Sequence, residues 1–219
     1  SLPPNTWLKL PPLKVVGELD WLAKESEKRI FGPIGRDYSN KLAWMPDRKR
    51  AIYFGGGHNN DPTNDVWEYD LGANTWVCLY GADENAQRKT ADWVKTNLLI
   101  KDGALQTKRG GPVRLTHTFD TLNYDSNLNI AFMSENFRGA VFVDKSIIAQ
   151  GLGLTDAELA TRWTPGRYYI TFDPALRKWN FITENVLGGQ EACSLRYIPD
   201  KKIWWSQSRQ SVNFYDPTK

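Results

Sequence analysis

The hexapeptide Asn5-Thr6-Trp7-Leu8-Lys9-Leu10 returns as Asn74-Thr75-Trp76-Val77-Cys78-Leu79. A looser copy, Lys178-Trp179-Asn180-Phe181-Ile182, follows Phe172-Asp173-Pro174 as Trp76 follows Tyr69-Asp70-Leu71. Reuse of one unit at wide spacing is a strong constraint on fold. Each copy must form the same supersecondary element, and neighbouring copies must bury what a single copy cannot. The chain opens within one unit and stops within another, so the expected object is part of a ring.

Three segments share a hairpin pattern. Leu42, Trp44 and Met45 lead through Pro46-Asp47-Arg48-Lys49 to Ile52, Tyr53 and Phe54. Leu122 and Tyr124 lead through Asp125-Ser126-Asn127 to Ile130, Ala131 and Phe132, and Leu195 and Tyr197 lead through Pro199-Asp200-Lys201 to Ile203, Trp204 and Trp205. An apolar run, a polar turn and a second apolar run are what a tight β-hairpin needs. A third strand then ends in an aromatic-Asp pair: Tyr69-Asp70, Phe172-Asp173 or Tyr215-Asp216. A short turn and a Trp-bearing strand complete four antiparallel strands, a to d. In the last unit the chain stops at Lys219, before the expected tryptophan.

Gly55-Gly56, then Asp65-Val66-Trp67-Glu68-Tyr69-Asp70, then Asn74 and Trp76, resemble a kelch repeat. Ser134-Glu135 and Ser206-Gln207 stand where the other units would carry the glycine pair. The resemblance implies an all-β fold of four-stranded β-propeller blades, with Tyr and Trp packed between blades and glycines allowing close backbone contact. Mapped onto it, residues 1–10 hold the final strand of a preceding blade (strand d at residues 6–10). Residues 38–80 form one blade, 116–183 a second with a long insertion, and 191–219 an incomplete third. About three blades fall short of the four to eight of a propeller. The remaining blades are expected from the rest of a longer chain or from a second chain.

The surplus residues fall between strands d and a (11–37 and 80–115) and between b and c (135–167). In an antiparallel blade these connections emerge on one face, so long loops are expected to decorate one side of a rigid scaffold, as binding sites commonly require. Helices are expected on that face. One carries Leu19, Leu22, Ala23 and Ile30 and stops at Gly32-Pro33. A second covers about residues 85–99 with Trp93. A third starts at the capping-box pattern Thr155-Asp156-Ala157-Glu158 and runs to about Trp163.

A formal charge of +3 with acids and bases intermixed offers no block for nucleic acid or a membrane surface, and no apolar run reaches membrane-spanning length. Two cysteines, Cys78 and Cys193, are too few for a disulfide framework. Ten Trp, nine Tyr and nine Phe suit large β cores and sugar-stacking platforms alike.

The only histidines, His58 and His117, both map to the decorated face, and histidine is the side chain suited to proton transfer near neutral pH. Tyr38 enters strand a of the first full blade, beside Arg36. Arg109 and Arg114 precede His117, and Arg138 follows strand b of the next blade. Guanidinium grips carboxylate or sulfate with a bidentate fork, so these arginines point to an anionic substrate, with Trp93 and Trp163 as sugar-stacking surfaces. The oxygen-rich run Asn59, Asn60, Asp61, Asn64 and Asp65 lacks EF-hand spacing. It reads as turn chemistry, with calcium at Asp61 and Asp65 as the alternative, and otherwise no cofactor is expected.

Polysaccharide lyases and the galactose oxidase family are similar in architecture to the unit described above. That resemblance implies a carbohydrate-binding or carbohydrate-active protein, most concretely a lyase on uronate-containing polysaccharide. Arg36 or Arg114 would neutralise the uronate, while His58, His117 or Tyr38 would move the proton. The alternatives are a non-catalytic kelch module that recognises an acidic protein segment, or a lectin-like binder. The favoured setting is extracellular or periplasmic.

Overall fold

A computed structural model describes residues 3–4, 6–21, 32–33, 42–55, 63–83, 90–113, 115, 120–136, 144–163, 167–183, 194–207 and 212–219. The protein is mainly β, in several antiparallel sheets. The first sheet holds β1 (Lys14–Gly17), β2 (Ala43–Met45), β3 (Arg50–Tyr53), β4 (Val66–Asp70) and β5 (Thr75–Tyr80), in the order β1-β5-β4-β3-β2. Next come α1 (Ala91–Asn97) and a hairpin of β6 (Leu98–Lys101) and β7 (Ala104–Thr107). The second sheet is a meander of β8 (Asn123–Asp125), β9 (Ile130–Asn136), β10 (Arg167–Asp173) and β11 (Lys178–Ile182). Helices α2 (Lys145–Leu152) and α3 (Asp156–Arg162) fall between β9 and β10. The third sheet joins β12 (Ser194–Ile198), β13 (Ile203–Gln207) and β14 (Val212–Tyr215).

One turn design recurs in the meanders. Met45 pairs with Arg50, Asp70 with Thr75, Asp125 with Ile130, Asp173 with Lys178 and Ile198 with Ile203, each pair enclosing four residues. The last turn residue is left-handed every time: Lys49 (φ 52°), Asn74 (48°), Asn129 (57°), Arg177 (54°) and Lys202 (54°). The aromatic-Asp pairs of the sequence are the start of this design. Asp70 Oδ1 accepts from the Ala73 N–H, Asp173 Oδ1 from Ala175 and Leu176, and Asp216 Oδ1 from Thr218. A short carboxylate side chain thereby satisfies turn amides that the ladder cannot reach.

The sheets stack in chain order, with their first strands as neighbours. β2 lies beside β8, and β8 beside β12. The Tyr124 hydroxyl on β8 donates to Asp47 Oδ1 at 2.6 Å, and Trp204 Nε1 on β13 donates to Asp125 Oδ2 at 2.8 Å. Alternation along β9 and β10 splits their side chains between two cores. Ala131, Met133, Ile170 and Phe172 join the first sheet's core, while Phe132 and Tyr169 face the third sheet. Phe54 meets Trp179 edge-on at 5.0 Å on one side, and Phe132 stacks on Trp204 at 4.0 Å on the other. Such pairs contribute about 0.5–1.5 kcal/mol each beyond the area they bury.

Several elements differ from the sequence expectation. Residues 6–10 form no strand, and Trp7 is 98% exposed. A strand exists only where a partner takes up its backbone hydrogen bonds, and among the described residues this segment pairs with none. Instead β1 adds to β5 in parallel, so the first sheet is a mixed five-stranded one rather than four antiparallel strands. Gly17 makes that contact possible: at φ 105°, a Cβ there would lie 2.2 Å from the Cys78 carbonyl oxygen. The helix expected over about residues 85–99 is the seven-residue α1, capped by Thr90 Oγ1 accepting from the Trp93 N–H. Its expected last turn is β6, drawn into the hairpin by the turn at Asp102-Gly103. Helix α3 forms as expected, with Thr155 and Glu158 completing a capping box. Helix α2, between Asp144 and the left-handed Gly153, was not anticipated. The helix expected to end at Gly32-Pro33 lies mostly outside the described residues.

The two insertions meet. Gly151 of α2 lies against Val94 and the Ala91 carbonyl of α1. Trp93, Val94, Ile148, Ala149, Leu159 and Trp163 belong to the same core as the first two sheets. The helices are therefore anchored through apolar contacts to the scaffold rather than appended to it.

Candidate functional site

Six of the sequence-predicted site residues, Arg36, Tyr38, His58, Arg114, His117 and Arg138, lie outside the described residues, as does Asp61. Four others are placed. Trp93 and Trp163 are 6% and 1% exposed. They are core residues between the insertion helices and the sheets, which corrects their assignment as sugar-stacking surfaces. Asp65 is fully buried and accepts hydrogen bonds from Thr63 Oγ1 and Trp67 Nε1. Its carboxylate serves its own strand. Among the described residues no three His, Cys, Asp or Glu side chains gather as metal ligands.

Arg109 is the fourth. It follows β7, and its Nη1 donates to the Gly81 carbonyl at 2.9 Å and lies 3.1 Å from Asp83 Oδ1. Its Nη2 donates to Glu18 Oε2 at 3.0 Å, and its guanidinium carbon sits 4.3 Å from the centre of the Tyr80 ring. Asp83 is the hub beneath it. Asp83 Oδ2 accepts from the Tyr80 hydroxyl at 2.9 Å, from Asn64 Nδ2 at 2.8 Å and from Thr107 Oγ1 at 2.5 Å. Burial pushes the Tyr80 phenol well above its ordinary range, and the negative charge of Asp83 adds to this. Burial works against the Arg109 cation, but the attraction of Tyr80, Asp83 and Glu18 outweighs it and the guanidinium pKa rises. These groups tie together the turn after β1, the strand end after β5 and the loop after β7. Arg109 is a clamp whose donors are largely committed, not a free hand for substrate.

Arg109 also borders a groove of about 350 Å³ between the β6–β7 hairpin and β11. Lys101, Asp102 and Lys108 line the hairpin side, and Lys178, Asn180 and Phe181 the β11 side, with Trp179 beneath. β11 is the outermost strand of its sheet, so the groove runs along a backbone edge that no strand covers among the described residues. The Thr183 hydroxyl donates to the Asp102 carbonyl at 3.0 Å and pins the hairpin turn to the end of β11. A smaller hollow of about 190 Å³ shares Thr107, Lys108 and Arg109. Sequence reasoning missed Asp83, Lys101 and Lys178. The available signal was Asp102-Gly103, a two-residue hairpin turn that places Lys101 next to a bend.

No protein-family model matches the chain, and no curated protein is significantly similar to it.

Proposed function

We propose that the chain is a segment of a kelch-type β-propeller that binds acidic polysaccharide on the rim built by its insertions, with uronate-lyase chemistry assigned to His58, His117 and Tyr38. One observation carries the reading. Three successive meanders set their first strands side by side and pack face on face, while the chain's longest excursions meet each other through α1 and α2. Radial repetition of small sheets produces such an order. Loops gathered on a packed scaffold are where such proteins place their binding residues.

In the lyase reading, Arg36 or Arg114 neutralises the uronate carboxylate, and His58, His117 or Tyr38 removes the proton beside it or protonates the leaving oxygen. The test is incubation with polygalacturonate, alginate, hyaluronan and heparin, following the ultraviolet absorbance of the unsaturated product. At least one glycan should give a rising signal that falls about 10²–10⁴-fold in His58→Ala or His117→Ala. Binding without turnover, indifferent to both substitutions, removes the chemistry and leaves a lectin-like binder. No binding to any of the four removes the carbohydrate reading.

A further inference from the structure

We infer that the groove between the β6–β7 hairpin and β11 holds the sulfate or carboxylate groups of an acidic glycan, a contact made without any of His58, His117 or Tyr38. The inference rests on the carbohydrate reading above and assigns it a place among the described residues.

Charge is the first reason. Four cations, Lys101, Lys108, Arg109 and Lys178, line the groove against one carboxylate, Asp102. Arg109 is held by Glu18 and Asp83, so it adds little free charge. Three lysines minus one aspartate leave a net charge of about +2 facing the opening. Lys108 directs one Nζ proton to the Lys95 carbonyl, whereas Lys101 and Lys178 reach no acidic partner among the described residues. These two lysines come from elements far apart in sequence, and the fold brings them to opposite walls of one groove.

The uncharged lining is the second reason. Trp179 is 4% exposed and lines the groove, and its Nε1 has no acceptor among the described residues. That N–H is itself sealed from solvent, so the indole forms an apolar floor behind the groove, packed on Phe54 and Phe172. The remaining lining suits a sugar. Asn180 offers an exposed amide to hydroxyls, Phe181 a half-buried ring, and the β11 edge adds backbone donors and acceptors. The volume falls at the lower end of the range for small-molecule sites. An extended acidic peptide fits less well. It would need to run on along β11, and the Thr183–Asp102 hydrogen bond closes that path.

The experiment measures binding of a heparin hexasaccharide, a galacturonate hexamer, neutral maltohexaose and hexaglutamate by calorimetry. It uses wild type, the groove variant Lys101→Glu/Lys178→Glu and a charge-matched control, Lys9→Glu/Lys201→Glu. All four lysines are exposed, and circular dichroism checks that each variant folds. The acidic oligosaccharides should bind wild type and the control alike and the groove variant about tenfold more weakly, with added salt weakening all three. The Trp179 indole N–H resonance, assigned with Trp179→Phe, should shift on binding. Equal affinity of the groove variant and wild type for an acidic glycan overturns the inference while leaving the carbohydrate reading intact. Tighter binding of hexaglutamate than of either acidic glycan overturns the choice of occupant. No binding of any oligosaccharide removes both.

Discussion

Replacing Gly151 by alanine tests whether the two insertions are truly packed as one body. A Cβ at Gly151 would lie 2.5 Å from Val94 Cβ and 2.6 Å from both Val94 Cγ1 and the Ala91 carbonyl oxygen. Carbon atoms rest about 3.5–4.0 Å apart, so the overlap exceeds 1 Å, and one obstructing atom belongs to backbone and cannot rotate away. Alanine in a helix is favoured over glycine by about 0.8–1 kcal/mol, and overpacking a filled contact costs about 1–3 kcal/mol. With the carbonyl in the way the upper end applies, so a net destabilisation of about 1–2 kcal/mol is expected. Urea titration reads it as a lower midpoint at unchanged slope. Gly72→Ala is the control, because its Cβ would meet only Asp70 Oδ1, at 3.5 Å. Combining Gly151→Ala with Val94→Ala removes part of the overlap, so the double variant should be less destabilised than the sum of the singles. If Gly151→Ala matches or exceeds wild-type stability, α1 and α2 do not form the close pair described, and the support it gives to a common rim is lost.

Three further outcomes follow from the structure. Glu68 is buried between Arg48, at 3.0 Å, and Arg50. Arg48→Ala/Arg50→Ala strands its carboxylate and should cost about 3 kcal/mol in denaturant titration, clearly more than Glu68→Gln. Burial, reinforced by the charge of Asp65, pushes the Cys78 thiol up to about 12 from 9.0, and burial also raises the phenols of Tyr80 and Tyr124. The folded chain thus keeps protons that the unfolded chain releases. Stability should be full below about pH 9 and fall as pH rises towards 12, and thermal melts of Cys78→Ala should show a shallower decline. Thr155→Ala removes the hydroxyl that accepts from the Glu158 N–H, while the residue-155 N–H keeps its bond to Glu158 Oε2, and should lower stability by about 1 kcal/mol, readable as a lower melting temperature.

The meander hairpins were legible because their chemistry is local: an Asp at the end of β4, β8 and β10 or a Pro-Asp inside the turn after β2 and β12, four turn residues and a left-handed last position. The hairpin at Asp102-Gly103 was equally local. It was obscured because Leu98, Leu99 and Ile100 form a short apolar run that helix and strand accept alike. The place of β1 was not legible, since parallel pairing with a segment some sixty residues away leaves no mark in either sequence. Residues 6–10 show the converse, with the same hexapeptide pattern as β5 and no partner among the described residues to make it a strand. α2 carries Ile147-Ile148 and Gly151, which favour helix poorly, and its packing on α1 decides the outcome. Trp93 and Trp163 read as platform or as core until their neighbours are known. Of the candidate site, the arginine cluster was visible only as residue types. That Arg109 is committed to Glu18 and Asp83 depends on three chain segments converging.

The parallel strand β1 encloses β5, which has a partner on each flank. It covers the flank of β5 and becomes the margin of the first sheet in its place, as β11 and β14 are the margins of theirs among the described residues. Uncovered margins are templates on which foreign strands can grow, so crowding or concentration should recruit new neighbours at β1 and β14, while the Thr183–Asp102 hydrogen bond bars a strand from running along β11. Amide exchange will register the difference: slow in β5, shielded on both flanks, and fast along the outward-facing amides of β11 and β14.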